Sequence, residues 1–162
     1  MLTFKTVVPE ETIGLGEILG NRISHGLVIA LDGELGAGKT HFVKGLAKGL
    51  GSTDLVTSPT FTLLHLYYGG RLNLAHFDAF RLKGPRDMEA LDYEEYFYGP
   101  WVSVVEWAEL VWDCMPEEYL EIRLSGFSDQ LHEEGRTLTM EAYGDPLKVL
   151  LKELNPFACS GD

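Results

Sequence analysis

Apolar positions follow two periodicities along this chain, and the switch between them recurs from end to end. Residues 2–7 alternate apolar and polar side chains, as an edge strand does. Pro9, Glu10 and Glu11 then suit the first turn of a helix. Ile13, Leu15, Ile18, Leu19 and Ile23 continue it with an apolar face. Gly14, Gly16 and Gly20 weaken this helix by about 1 kcal/mol each relative to alanine, and their small size lets it sit close to a neighbour. His25 and Gly26 end it. Leu27-Val28-Ile29-Ala30-Leu31 is continuously apolar, which predicts a strand buried on both faces. Phe42, Val43, Leu46, Ala47 and Leu50 recur at helical spacing, and Gly51 supplies the stop.

Beyond Gly51 the elements shorten. Residues 51–58 are polar and irregular, and Ser58-Pro59-Thr60-Phe61 reads as a proline turn flanked by hydroxyls. Residues 62–68 and 71–80 predict two strands joined at Gly69-Gly70, a hairpin signal. This pair is expected to add antiparallel strands to a sheet with a parallel core. Residues 86–90 predict a short helix. Residues 102–106 form a second buried-strand pattern, followed by a short helix over 108–115 that Pro116 stops. Residues 119–124 and 136–143 alternate as strands with a polar loop between them. Asp145-Pro146 opens a last helix through Leu154. The pattern reads as a single domain over residues 1–156, with residues 157–162 as a C-terminal tail.

Composition narrows the class. Apolar content of 45% and charged content of 23% over 162 residues describe an ordinary globular chain with a full core. No apolar run approaches the roughly 20 residues of a membrane helix, and the N-terminus lacks a signal-peptide layout. Cys114 and Cys159 have no metal-type spacing. A cytoplasmic protein without membrane contact is expected. The net charge of −12 repels phosphate backbones, so RNA would be reached only through another protein.

The candidate chemistry centres on Gly33-Glu34-Leu35-Gly36-Ala37-Gly38-Lys39-Thr40, which reads G-x-x-x-x-G-K-T between a buried strand and a helix. The glycines let the backbone curl its N–H groups towards phosphate oxygens, and the helix N-terminus adds partial positive charge. Glu34, Leu35, Gly36, Ala37, Gly38, Lys39, Thr40 and His41 are the expected nucleotide contacts. Lys39 would reach the β- and γ-phosphates and the Thr40 hydroxyl would bind Mg²⁺. Such a loop needs an acid at the end of a core strand. Glu106 ends an almost wholly apolar strand, which suits a central position. Asp78 ends an alternating strand, which suits a more peripheral one. One acid would hold the metal and the other would orient a water or a hydroxyl, and the pattern alone leaves open which does which. Thr60 either senses the γ-phosphate or belongs to an ordinary Ser-Pro turn. Tyr93, Tyr96, Phe97, Tyr98 and Trp101 either pack under a loop or form a partner-binding patch.

No N-K-x-D stretch supports guanine binding. Residues 124–130 faintly resemble a transporter signature and are read as a strand end and turn. The six arginines, at 22, 71, 81, 86, 123 and 136, are scattered rather than gathered into a kinase lid. An ATPase is favoured, with a small-metabolite kinase and a nucleotide-gated binding module as the other readings.

The motifs together resemble a known family. The phosphate loop, Ser58-Pro59-Thr60-Phe61-Thr62, His76-Phe77-Asp78-Ala79-Phe80-Arg81 and Glu106-Trp107 match, in order and spacing, the TsaE (YjeE) family that assists threonylcarbamoyladenosine modification of tRNA. The match covers most of residues 10–143. It implies an α/β fold of P-loop NTPase type, a three-layer sandwich whose mixed parallel and antiparallel sheet carries helices on both faces. It implies an ATP/ADP cycle with Mg²⁺ held by Thr40 and Glu106, and activity that depends on Lys39, Asp78, Thr60 and Trp107. Thr12 and Arg136 are implied near the adenine. The implied partners are the threonylcarbamoyl transferase acting on adenosine 37 and its non-catalytic paralogue, with tRNA engaged through that complex. Two positions depart from the family pattern. Phe80 stands where tyrosine is usual, and Asp92 where glycine is usual.

Overall fold

The computed structural model describes residues 1–128 and 134–159. Seven strands form one sheet: β1 (Leu2–Thr6), β2 (Leu27–Gly33), β3 (Leu64–Tyr67), β4 (Asn73–Asp78), β5 (Trp101–Glu106), β6 (Tyr119–Ser128) and β7 (Glu134–Tyr143). Their order is β1-β7-β6-β2-β5-β4-β3. The four central strands, β6, β2, β5 and β4, run parallel, and β1, β7 and β3 pair antiparallel around them. The mixed sheet is therefore the expected one, with β1 at an edge.

Helices cover both faces. On one face α1 (Pro9–Arg22), α2 (Lys39–Gly49) and α5 (Asp145–Leu154) pack over Ile29, Leu31, Val102, Val104, Leu120 and Ile122. On the other, α3 (Pro85–Glu89), α4 (Tyr93–Phe97) and a 3-10 segment at Ala108–Cys114 cover Val28, Ala30, Ala75, Phe77 and Val105. Strands buried on both faces need apolar side chains on both, which is why β2 and β5 lack alternation. The 3-10 segment replaces a regular helix because Val111 leaves helical dihedrals, at φ −130° and ψ 31°.

The α1–α2 contact explains the glycines. A Cβ at Gly16 would lie 2.3 Å from Phe42 O, one at Gly20 2.5 Å from Leu46 O, and one at Gly45 1.8 Å from Ile13 O. The two backbones touch with no side chain between them. Gly14 takes no part, since open space surrounds it. Arg71 closes the far end of the pair. Its guanidinium donates to Ile23 O, Gly20 O and Gly49 O at 3.0, 2.8 and 3.3 Å, satisfying carbonyls that helix ends leave open.

Two strand expectations are corrected. The hairpin does not add two antiparallel strands: β4 pairs parallel with β5 after the α3–α4 crossover and belongs to the parallel core, and β3 alone pairs antiparallel on that side. β4 is nearer the edge than β5, as its alternation suggested, although its polar His76 is fully buried. β6 also runs on to Ser128, where the polar loop was expected to begin at 125. It keeps its pairing with β7 there, Ser125 opposite Thr137 and Ser128 opposite Glu134. A two-stranded extension beyond the sheet has no face to bury, so apolar periodicity stops before the strand does. The rest of that expected loop and turn, residues 129–133, and the tail residues 160–162 lie outside the described residues. Nearer the end, Cys159 N donates to Thr3 O at 2.9 Å.

Asp92 adopts φ 53° and ψ 39°, the left-handed conformation. The position where glycine is usual thus keeps glycine's backbone geometry, at a residue type that tolerates it better than most. The aromatic segment beside it is mainly core. Phe97 stacks edge-on with Phe77 and Tyr93, and Tyr96 with Phe77 and Trp101, while Tyr98 stays exposed. Among the described residues, no helix is long and apolar enough to cross a membrane.

Candidate active site

The loop between β2 and α2 curls because two of its glycines take positive φ, 80° at Gly36 and 102° at Gly38. Gly38 serves as the N-cap of α2 without a side-chain cap, so the first N–H groups of the helix stay free for an anion. Lys39 is largely buried. Its ammonium donates to Gly33 O and to Glu34 O, and lies 5.3 Å from the centre of the Trp107 ring. The lysine therefore folds back over the loop it belongs to.

Parallel register brings the two acids to one level. Asp78 at the end of β4 is paired with Glu106 at the end of β5, and His76 with Val104 one layer below. Side chains two apart on a strand share a face, so His76, Asp78 and Glu106 lie together on the α1–α2 side. Glu106 Oε1 sits 3.0 Å from His76 Nε2. Glu106 Oε2 has no hydrogen-bond partner among the described residues. Asp78 is engaged at both oxygens. Oδ2 accepts from the Thr60 hydroxyl at 2.9 Å, and Oδ1 from the Phe80 backbone N–H at 3.0 Å.

The loop carrying Thr60 is anchored through its backbone. Leu63 adopts φ 67°, a conformation unfavourable for a branched apolar residue. Its N–H donates to Pro59 O at 2.7 Å, and its carbonyl accepts from Asp78 N at 2.9 Å. The Ser58 and Thr60 hydroxyls are 2.8 Å apart. Trp107 is also left-handed, at φ 58° and ψ 43°, so an unusual backbone conformation borders each acid. Phe80 faces Trp107 with ring centres 5.1 Å apart. Its backbone amide holds Asp78 whatever its side chain carries.

These residues share one cavity of about 490 Å³. Its lining includes Leu35, Gly36, Gly38, Lys39, Thr40, His41, Thr60, Asp78, Glu106 and Trp107. Glu34 and Ala37 line a neighbouring cavity that the same loop forms with Arg123, Leu124 and Arg136. A further cavity of about 260 Å³ shares Gly36, Gly38 and His41 with the first and brings Thr12 together with Arg136. Arg136 donates to Gly36 O at 3.2 Å, and the Thr12 hydroxyl lies 2.8 Å from that of Thr6. Every site residue expected from sequence thus lies in or around this loop. Residue-level reasoning gave no role to His76. Its polarity inside the run Leu74 to Phe77, two positions before Asp78, was the available signal.

On the far side of the loop, Asp32 at the end of β2 has its pKa pushed up to about 7. Burial is the main cause, and the neighbouring Glu109 carboxyl adds to it.

Comparisons with known proteins agree with one another. The family model for threonylcarbamoyl adenosine biosynthesis protein TsaE matches residues 6–136. The tRNA threonylcarbamoyladenosine biosynthesis protein TsaE of Bacillus subtilis (strain 168) is 40% identical over 154 residues, covering 95% of this chain and 94% of that protein. That of Treponema pallidum (strain Nichols) is 44% identical over 120 residues, 74% of this chain and 88% of that protein. The crystal structure of Bacillus subtilis YdiB matches with a TM-score of 0.82 and 38% identity, covering 96% of this chain and 94% of that one. By sequence and by structure, this chain belongs to the TsaE family.

Proposed function

We propose that this chain is a magnesium-dependent ATPase of P-loop NTPase type that serves threonylcarbamoyl modification of adenosine 37 in tRNAs reading codons that begin with A. Its ATP/ADP cycle resets a cytoplasmic complex with the threonylcarbamoyl transferase and its non-catalytic paralogue, and tRNA is engaged only through that complex. The carrying observation is convergence. The loop from Gly33, the Thr60–Asp78 pair and the Glu106 carboxylate border one cavity. The relatives' part in tRNA threonylcarbamoyladenosine biosynthesis, as their names give it, supports the tRNA-modification setting.

The donor set suits Mg²⁺. The Thr40 hydroxyl and the open Oε2 of Glu106 are hard oxygen donors, and this ion takes few protein ligands beside substrate phosphates. Among the described residues no three His, Cys, Asp or Glu side chains are so arranged that they could hold a metal by themselves, which does not conflict with a site of few protein ligands. When bound there, the ion would supply positive charge that offsets the charge developing on the phosphates. Lys39 exchanges its carbonyl contacts at Gly33 and Glu34 for phosphate oxygens. Asp78 orients the attacking water and draws on its proton, while Thr60 fixes the carboxylate and reports the γ-phosphate. Thr12 and Arg136 border the adenine. Among the described residues no arginine lines the cavity shared by Lys39, Asp78 and Glu106, so hydrolysis by the isolated chain is slow.

Reconstituted tRNA modification tests this reading. Many turnovers should require this chain with ATP and Mg²⁺, and Lys39→Ala should stop them. Sustained turnover without the chain would overturn it.

A further inference from the structure

Two acids at the same level of adjacent strands are held by different means. Asp78 has both oxygens occupied by a hydroxyl and a backbone amide. Glu106 has one oxygen held by an imidazole, and the other accepts nothing among the described residues. The imidazole itself has no solvent exposure. Its Nδ1 is buried with no hydrogen-bond partner among the described residues. A buried polar atom without a partner is destabilising, and an apolar side chain between Ala75 and Phe77 would avoid that. The core therefore tolerates an imperfect group whose other nitrogen meets the Glu106 carboxylate. The tautomer with hydrogen on Nε2 suits both ends, donating to Oε1 and leaving Nδ1 as a bare lone pair.

We propose that His76 is a positioning residue for the metal: through Nε2–H it pins Glu106 Oε1, so that Oε2 alone is presented to a divalent cation. This inference rests on the magnesium ATPase reading. The carboxylate of an unpinned Glu106 could turn about its last torsion and offer either oxygen. With Oε1 held at 3.0 Å, its direction is set before nucleotide arrives. The neighbouring Asp78, whose oxygens each already accept one hydrogen bond, from Thr60 and from Phe80, keeps its remaining lone pairs for water and stays out of the coordination sphere. The division of labour between the acids then follows from what each is bonded to.

Mn²⁺ affinity, measured by electron paramagnetic resonance with a non-hydrolysable ATP analogue, tests the proposal. His76→Gln places its amide nitrogen near the position of Nε2, whereas His76→Asn places it near Nδ1, and both keep a polar group in the same space. His76→Asn should weaken Mn²⁺ binding by about tenfold or more, as loss of an outer-shell partner typically does. His76→Gln should restore most of it. ADP affinity in the presence of a chelator should stay within about twofold for both, a readout that a general packing defect would disturb. In a Glu106→Gln background, His76→Asn should have no further effect on the metal. Mn²⁺ binding by His76→Asn equal to that of the unmodified chain would overturn the positioning role alone, as would an undiminished effect in the Glu106→Gln background. Unchanged Mn²⁺ affinity in Glu106→Gln itself would overturn the metal assignment, and the inference with it.

Discussion

The Thr60 hydroxyl donates to Asp78 Oδ2 at 2.9 Å, and so ties the proline turn after α2 to the acid that ends β4. Asp78→Asn should lower ATP turnover in the reconstituted complex by about 10²- to 10⁴-fold, the usual weight of a general base, with little change in nucleotide affinity. Thr60→Val removes a hydrogen bond to a charged group, a loss of about 1.5–3 kcal/mol, and should cost roughly 10- to 100-fold. Thr60→Ser should recover most of that. Steady-state kcat and KM for ATP distinguish these outcomes.

Lys39→Met keeps the length of the side chain and deletes its charge. Charge-assisted contacts to phosphate are worth about 1.5–3 kcal/mol. Calorimetry should therefore find nucleotide affinity lower by roughly 10- to 100-fold. Stability without nucleotide should fall only slightly, because the lysine now serves only the Gly33 and Glu34 carbonyls.

Two glycine substitutions should have opposite signs. Gly14→Ala meets open space and should stabilise the chain by about 0.5–1 kcal/mol through helix propensity. Gly45→Ala would press a methyl group into the Ile13 carbonyl and should destabilise by about 3 kcal/mol or more. Urea unfolding midpoints report both.

The phosphate loop was legible because everything that specifies it is local: an apolar strand, three glycines and a helical repeat. The place of β4 was not. Strand order depends on which edge a strand finds, and the hairpin with β3 showed only one of its two neighbours. His76 was hidden for a related reason, since its partner is 30 residues away. Arg71 read only as one of six arginines scattered along the chain. Its role became visible only once two helix ends were brought to it. Thr12 and Arg136 entered through family resemblance, and no periodicity links positions so far apart. The Asp92 departure, by contrast, reduces to one backbone angle.

That angle allows a direct check. Asp92→Gly keeps the left-handed conformation and removes its steric cost, about 1–2 kcal/mol for an ordinary residue and less for aspartate. The variant should be more stable by up to about 1 kcal/mol in urea unfolding.

Stability should also carry a pH signature from Asp32. Its pKa is about 7 in the folded chain, against 3.8 as the ordinary value. Between these values the folded state holds a proton that the unfolded state has lost, so raising the pH disfavours folding. The stabilisation is complete below about pH 4, falls as pH rises and is gone above about pH 7. Melting temperatures across this window should decline less for Asp32→Asn than for the unmodified chain.

The bare contact between α1 and α2 has a mechanical meaning. Rotamers are the cushions through which most packed helices absorb small shifts, and Gly16, Gly20 and Gly45 remove them from this seam. A shift of α2 at its N-terminus therefore reaches α1, and the residues beside Thr12, without slack. On the proposed ATPase reading, the two helices would act as one stiff lever that links the two ends of a bound nucleotide.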